Sequence, residues 1–551
     1  MTPFERFYNL LKLDKRDVYQ IIFYAAFAGL VNLSLPLGVQ AIINFIQSGQ
    51  VSVSWIVLVV VVTLGVGFAG ALTIMQLRII ENLQQRIFVR SSFEFAYRIP
   101  LIKFKEMYQK YAPEQANRFF DTLMVQKGAA KLLLDFSAAF LQIGFGIILL
   151  AFYHSFFLVI GLLIIGVLYI IFKFSYNDGL ETSLKESTYK YKVAAWLQEI
   201  ARSREAFSKK KQFDYALSRN DGYVNEYIGY REKHFNVLKK QYIQLVLFKV
   251  VITAALLSVG GFLVIGNQMN IGQFIASEII IVLLINSVEK IIFGLESFYD
   301  VLTSVEKIGQ VTDMEIAALP AYADTGKPGI NIETEGINYS YPFSDKKSLK
   351  NICLKISQGE RIVVTGQNGA GKSTLLRLLA GVVEPEHGAV YITDNFMNRL
   401  SEDTFKAKVG TLLHGESLFD GTIRDNILYG NNNIDNEDLK WALDSVCLTP
   451  YIKTFPNGLE THIHPGGRQL SASDVQKILL ARSIVHRPEV LILEEPTGKM
   501  DAVTSAKIID FLLMEEHKWT IIVASKSSRW KEKSTRMITV NNGEITNDIM
   551  L

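Results

Sequence analysis

Apolar positions divide the chain into two regimes. Before about residue 300 they form long, nearly unbroken runs; from about residue 331 they form short β-branched runs and helically spaced stripes. Six early runs, near 18–45, 53–76, 131–153, 156–175, 242–266 and 272–294, are long enough to cross a bilayer. A hydrocarbon core of roughly 30 Å takes about 20 helical residues. Between these runs, Ile80 to Tyr97 and Thr182 to Ile200 carry mixed charge at helical spacing, which predicts helices continuing beyond the membrane. Turn-prone breaks fall at Tyr111-Ala112-Pro113-Glu114 and Arg202-Ser203-Arg204-Glu205. The turns near Tyr111–Arg118 and Arg202–Phe207 are expected to sit as short helices on the C-terminal domain. Helical spacing continues over Ile291 to Val311. The expected organisation is a transmembrane domain over 1–310, a linker over 311–330 and a soluble domain over 331–551.

Composition agrees with a membrane protein. The chain is 49% hydrophobic with a mean hydropathy of +0.21 at 20% charged residues, too apolar for an ordinary soluble enzyme. The formal charge of +3 is no sign of a nucleic-acid partner, because the basic residues are distributed by topology. The short connections 46–52, 154–155 and 267–271 hold no Lys or Arg, whereas the long ones are rich in both, from Arg78 to Lys127 and from Lys185 to Lys211. By the positive-inside rule both termini and both long connections are cytoplasmic. The first apolar run is too long for a cleavable signal peptide and lacks a small-residue cleavage site. Cys353 and Cys447 both fall in the soluble part and are expected to be reduced core residues. Glu278, Asn286, Glu289 and Lys290 on the sixth run and Lys249 on the fifth are expected to face a cavity or one another, with Glu289 and Lys290 alternatively at the cytoplasmic interface.

The soluble region holds a chemical motif. Arg361 to Thr365 reads as a strand, Leu375 to Leu379 as a helix, and between them stands G-x-x-x-x-G-K-S. The loop Gly366, Gln367, Asn368, Gly369, Ala370, Gly371, Lys372, Ser373 and Thr374 is expected to bind a nucleoside triphosphate. Its glycines let backbone N–H groups approach phosphate oxygens, Lys372 reaches the β- and γ-phosphates, and Ser373 can ligate Mg²⁺.

Six spans with long helical extensions, followed by this loop, resemble the exporter-type ATP-binding cassette (ABC) half-transporters over essentially the whole chain. The resemblance implies an α-helical six-span transmembrane domain of type I exporter form, then an α/β P-loop nucleotide-binding domain. Phe419 to Ile427 is similar to the exporter pattern after the Q-loop, Leu470 to Arg482 to the family signature and its helix, Val490 to Thr497 to Walker B, and Gly498 to Asp501 to the D-loop. By resemblance Tyr341 stacks on adenine, Glu494 joins Ser373 at Mg²⁺, and Glu495 is the general base.

The departures from the family pattern bear on chemistry. His414 stands at the Q-loop glutamine. Leu470 and Ser471 are retained in the signature, but Ala472, Ser473 and Asp474 replace Gly-Gly-Gln. Glu494 replaces the Walker B aspartate, and Ser525 the switch histidine. Side chains at 472 and 473 hinder close backbone approach. Asp474 brings negative charge toward a polyanion unless Mg²⁺ or a neighbour such as Arg468 compensates, and Ser525 supplies no imidazole, with His414 as the alternative for that role. In the family each ATP site joins one chain's Walker motifs to another chain's signature, so the resemblance implies a second half-transporter chain, identical or different. With both defects on one chain, neither arrangement leaves a consensus site, and strong ATP binding with slow hydrolysis is expected. The turn from Gly266 to Ala276 and Leu35-Pro36-Leu37 are similar to bacterial type I secretion and peptide exporters. That likeness implies ATP-driven export across the bacterial inner membrane, of a peptide, protein or amphiphile, with a periplasmic adaptor and an outer-membrane channel as candidate partners. The alternatives are a lipid flippase, with membrane lipid as its ligand, and a nucleotide-binding regulatory subunit with little hydrolysis.

The charge asymmetry generates a labelling prediction. A cysteine introduced at Asn270 should react with an impermeant thiol reagent in intact cells, and one at Ser203 should not; labelling at Ser203 would contradict the six-span topology.

Overall fold

The computed structural model describes residues 1–47, 53–318, 329–431 and 434–551. It falls into two compact units, one of Met1–Ile102 with Gln109–Glu315 and one of Lys103–Tyr108 with Ile316–Leu551. Most of the connection 46–52, and residues 319–328 of the linker, lie outside the described residues.

Among the described residues the first unit has six helices long and apolar enough to cross a membrane: Lys15–Ile46, Val53–Leu101, Ala112–Ala151, Ser155–Arg202, Lys210–Ile265 and Ile271–Thr312. Each coincides with one of the six apolar runs, the third and fifth ending one or two residues short of the run's end, and the long ones extend well past it on the charged side, as the helical spacing predicts. The sixth helix is the most enclosed, with 44% of its most apolar window buried against 11% for the second. Its inward face includes Ile280, Ile281, Leu284, Val288 and Leu295. The third and fifth helices each pass through one wide π-turn, at Leu132–Phe136 and Leu256–Gly260, which inserts a residue and rotates the following face. Phe136 at the end of the first such turn packs onto Gly294, where a Cβ would come within 2.3 Å of its ring. The intramembrane charges partly answer one another: Lys249 Nζ is 2.5 Å from Glu289 Oε2, across the fifth and sixth helices. The turn before the sixth helix is closed by a reciprocal cap, Gln273 N–H donating to Asn270 Oδ1 at 2.7 Å and Asn270 N–H to Gln273 Oε1 at 2.9 Å.

The helical extensions are locked by buried polar contacts. Tyr299 is fully buried; its hydroxyl donates to the Ser175 carbonyl and accepts from Gln241 Nε2, both at 3.2 Å. Its ring lies on Gly179, where a Cβ would sit 2.4 Å from the ring carbon bearing the hydroxyl. Both turns expected to contact the C-terminal domain fall within the first unit. Tyr111–Arg118 belongs to the first unit, where Arg118 reaches Gln310 at 2.9 Å, and so does Arg202–Phe207, with Phe207 edge-on to Trp196. The piece that clusters with the second unit is Lys103–Tyr108, upstream of the predicted turn. The preceding helix carries Pro100 in its last turn and ends at Leu101.

The second unit contains strands β1 (Asn331–Ser340), β2 (Lys347–Ile356), β3 (Arg361–Thr365), β4 (His387–Thr393), β5 (Val409–Leu412), β6 (Gly421–Thr422), β7 (His462–Ile463), β8 (Val490–Glu494), β9 (Thr520–Ala524), β10 (Arg536–Asn541) and β11 (Glu544–Met550). A three-stranded antiparallel sheet runs β2-β1-β4, and a six-stranded sheet runs β11-β10-β3-β9-β8-β5, parallel except at the β11 edge. The inner parallel strands are buried on both faces, which is why Ile362–Val364, Val490–Leu493 and Ile521–Ala524 read as continuous apolar runs. Cys353, expected in the core, is exposed on β2, where its Sγ accepts from Gly336 N–H at 3.2 Å; Cys447 is half-buried.

The Tyr299–Gly179 contact yields a stability prediction. Gly179→Val forces side-chain bulk into a filled space and should destabilise the first unit by about 1–3 kcal/mol, seen as a lower Tm in detergent, whereas Gly166→Val, at a position with nothing within 4 Å of a Cβ, should not.

Candidate functional site

Strands β3, β9, β8 and β5 lie side by side and parallel, so their C-terminal ends meet along one rim, the place where open α/β sheets take ligands. Each group of predicted site residues follows one of these ends: 366–374 after β3, Ser525 after β9, Glu494 and Glu495 at β8, and His414 after β5.

The loop after β3 needs glycine where it is tightest. Gly366 has φ +142°, and a Cβ there would meet the Val540 carbonyl oxygen at 2.1 Å. Gly366, Gln367, Asn368 and Gly369 are exposed and Ala370 is buried, anchoring the far side of the turn. Gly371, at φ +110°, opens the helix Lys372–Leu379. Lys372 Nζ folds over the loop and donates to the carbonyls of Gly366 and Gln367, each at 2.8 Å. Burial lowers the Lys372 pKa from its ordinary value and Lys526 lowers it further, while Glu495 and Glu494 oppose the shift.

Glu494 joins three elements. Its Oε1 accepts a short hydrogen bond from Ser373 Oγ, and its Oε2 accepts from His414 N–H at 3.0 Å. A hydroxyl and a carboxylate oxygen held side by side are the hard donors that Mg²⁺ favours, so Ser373 and Glu494 fit that ion. His414 is exposed and takes part through its backbone, its carbonyl accepting from Arg377 Nη2 at 3.4 Å.

Glu495 sits in the left-handed region at φ +44°, uncommon for a residue with a side chain and sustained only where contacts over-determine it. Those contacts are Glu495 N–H to the Ala524 carbonyl at 2.8 Å, Gln476 Nε2 to the Glu495 carbonyl at 2.5 Å, and donation to the Glu495 carboxylate by Ser525 Oγ at 3.1 Å and Lys526 N–H at 3.2 Å. Gln476 Oε1 also accepts from Lys499 N–H at 2.9 Å, tying the signature helix to the segment after Glu495.

Ser471, Ala472, Ser473 and Asp474 start the helix Ala472–Ile484. Ser471 is its cap: Asp474 N–H donates to Ser471 Oγ at 3.1 Å, and Ser471 Oγ donates in turn to Asp474 Oδ2 at 2.6 Å. The Asp474 carboxylate is turned inward, 7% exposed, with Lys477 Nζ at 3.3 Å. The compensating cation is thus Lys477 one turn along the helix, not Arg468. Leu470 is half-buried against the helical core.

Tyr341 is held by its hydroxyl, which bonds Thr374 Oγ1 and accepts from Arg377 Nη1, both at 3.1 Å. Its ring stacks on Tyr108 at 5.0 Å and 19°, so one face of the predicted adenine platform is covered by another tyrosine. Sequence reasoning missed Tyr108, Gln476, Lys477 and Lys526. The i,i+3 spacing of Asp474 and Lys477 was a usable signal; for Tyr108 there was none, since its partner is more than two hundred residues away.

Comparison with known proteins agrees with this geometry. Residues 349–498 match the family model described as ABC transporter. The chain is 27% identical over 246 residues to the glutathione/L-cysteine transport system ATP-binding/permease protein CydC of Escherichia coli, covering 44% of this chain and 43% of that protein. It is 31% identical over 223 residues to the ATP-dependent permease MDL1 of Candida albicans, covering 40% and 33%. It is 27% identical over 330 residues to the mesentericin-Y105 transport/processing ATP-binding protein MesD of Leuconostoc mesenteroides, covering 59% and 45%. The chain thus spans less than half the length of each of these relatives. A solved structure described as a bacterial Atm1-family ABC exporter with ATP bound superposes with a TM-score of 0.83, at 16% identity, over 97% of this chain and 95% of that one. The cassette belongs to the ABC transporter family, and the chain has the fold of an exporter half-transporter.

Lys372→Ala should weaken Mg-ATP binding at least about tenfold, read with labelled nucleotide, because no other side chain on the loop supplies its charge; unchanged binding would displace the site from this loop.

Proposed function

We propose that the chain is one half of a dimeric, ATP-driven exporter of the bacterial inner membrane, binding ATP well and hydrolysing it slowly. The observation that carries this reading is the rim of β3, β9, β8 and β5, where Lys372, the Ser373–Glu494 pair and Glu495 converge on one site while Ser471 is engaged elsewhere.

The chemistry follows from these residues. Loop N–H groups and Lys372 hold the phosphates, Tyr341 offers a ring to the base, and Gln367, Asn368, Gly369, Ala370, Gly371 and Thr374 shape the cradle. Mg²⁺, when bound at Ser373 and Glu494, supplies charge neutralisation at the phosphates. Glu495 is the base that orients and deprotonates water. Ser525 and the Lys526 N–H aim its carboxylate, so the serine performs part of a positioning role but extends no imidazole toward phosphate. Completing the site takes a second chain's signature. In this chain the Ser471 hydroxyl already donates to Asp474, and a hydrogen committed there is not offered to phosphate. Each lost preorganised donor costs about 10²–10³ in rate.

The export direction, the cytoplasmic placement of both termini, and a peptide, protein or amphiphile as cargo rest on the charge asymmetry of the connections and on the likeness to type I secretion and peptide exporters; a periplasmic adaptor and outer-membrane channel are the partners that likeness suggests. The Ser471–Asp474 bond specifically favours one second reading, a nucleotide-binding regulatory subunit that turns over little ATP. Uptake into inverted vesicles with and without ATP separates the two.

Two sets of variants test the proposal. Glu495→Gln should abolish residual ATPase activity while ATP binding persists. Ser525→His combined with Ala472→Gly, Ser473→Gly and Asp474→Gln should raise turnover by more than about tenfold. A native rate already matching the restored variant, and lost in His414→Ala, would mean that His414 replaces the switch histidine and would overturn slow hydrolysis.

A further inference from the structure

We propose that Asp420, His462 and His464 form a binding site for a divalent transition cation of the zinc type, on the surface of the cassette beside the segment that leads to the signature. The three side chains offer one carboxylate oxygen and two imidazole nitrogens, all within 4.8 Å of one another. His462 Nε2 is 3.8 Å from Asp420 Oδ1, and the two imidazole rings are 5.7 Å apart. Tetrahedral zinc, with bonds of about 2.0–2.2 Å, separates its ligand atoms by about 3.3 Å. Modest side-chain rotation closes the difference, and the side chains are free to rotate: Asp420 is 62% and His462 56% exposed.

Backbone geometry explains the convergence. His462 and His464 are two residues apart on an extended segment and share a face. β6 and β7 pair antiparallel, with Thr422 opposite His462 and Gly421 opposite Ile463. Continuing that register by one residue sets Asp420 opposite His464. Both strands stand on fixed pedestals. Asn426 clamps the residue before Asp420, accepting from Phe419 N–H at 3.0 Å and donating to the Phe419 carbonyl at 2.9 Å. Gln469 clamps the histidine strand, accepting from His464 N–H at 3.2 Å and donating to the His462 carbonyl at 3.0 Å. Ile463 between the histidines is fully buried, which holds their side chains outward.

The ligand set selects the ion. Two imidazoles with one carboxylate suit zinc, cobalt, nickel and copper, whereas magnesium and calcium take oxygen, so the Mg²⁺ that accompanies ATP does not compete. Arg424, just after β6, is paired with Glu460 at 2.7 Å, and Asp425 adds negative charge near His462. A bound ion would cross-link the two strands and stiffen the stretch from His464 to Ser471, which is already tied back by Gly466 N–H to the Leu418 carbonyl at 2.8 Å.

The test uses the full-length protein in detergent, purified with a tag free of histidine, and titrates it with Zn²⁺ in excess Mg²⁺ by calorimetry. One zinc should bind per chain, and the Tm should rise on addition. Co²⁺ in place of zinc should show the visible absorption of a four-coordinate site. His462→Ala, His464→Ala and Asp420→Asn should each weaken zinc binding at least about tenfold and abolish the Tm rise, while His387→Ala, at an exposed histidine on β4, should leave both intact. Because the replaced side chains are exposed, each variant should keep the native Tm without zinc. Absence of zinc binding by the native chain, or equal binding by all the variants, would overturn the site.

Discussion

A single carboxylate holds the rim of the cassette together. Glu494 ends β8 and reaches the segments after two other strands at once, taking the Ser373 hydroxyl after β3 on one oxygen and the His414 N–H after β5 on the other. The parallel order of β3, β9, β8 and β5 makes this possible, because it delivers four chain ends to one line. The position of Lys372 over the loop follows, since Ser373 and Lys372 are adjacent on the first turn of one helix. The unusual backbone of Glu495 follows as well. With Glu494 fixed, the next residue turns through the left-handed region to place its carboxylate at Ser525 and Lys526 N–H.

The replaced positions form a coherent local chemistry. Asp474 supplies the N-terminal helix turn with a negative charge, favourable at that end of the dipole, and Lys477, one turn along the helix, neutralises it. Ser471 is drawn into this arrangement as both cap acceptor and hydroxyl donor. Ser525 does for Glu495 what a short side chain can, which is to orient it. In the proposed function the shared consequence is a cassette that holds nucleotide, with the groups that would speed hydrolysis committed to one another.

Elements set by local pattern were legible in the sequence, and elements set by long-range convergence were not. The six apolar runs became six helices because hydrophobic length is a local property. The loop at 366–374 was legible because its spacing encodes its shape. The first unit's boundary was not: Lys103–Tyr108 lies in a stretch of unremarkable composition, and its partners include Tyr341, Arg377 and Glu384, far along the chain. Lys477 was visible but passed over for Arg468, because charge was weighed without helical phase. The meeting of Asp420 with His462 and His464 depended on a two-residue strand pair that no periodicity announces.

The central claim, a cassette that binds ATP firmly and turns it over slowly, is tested most directly by measuring nucleotide occupancy and phosphate release in the same sample of purified native protein with Mg-ATP. The account predicts near-complete occupancy with turnover about 10²–10³ below that of exporters with consensus motifs. Full occupancy with turnover equal to theirs would contradict it.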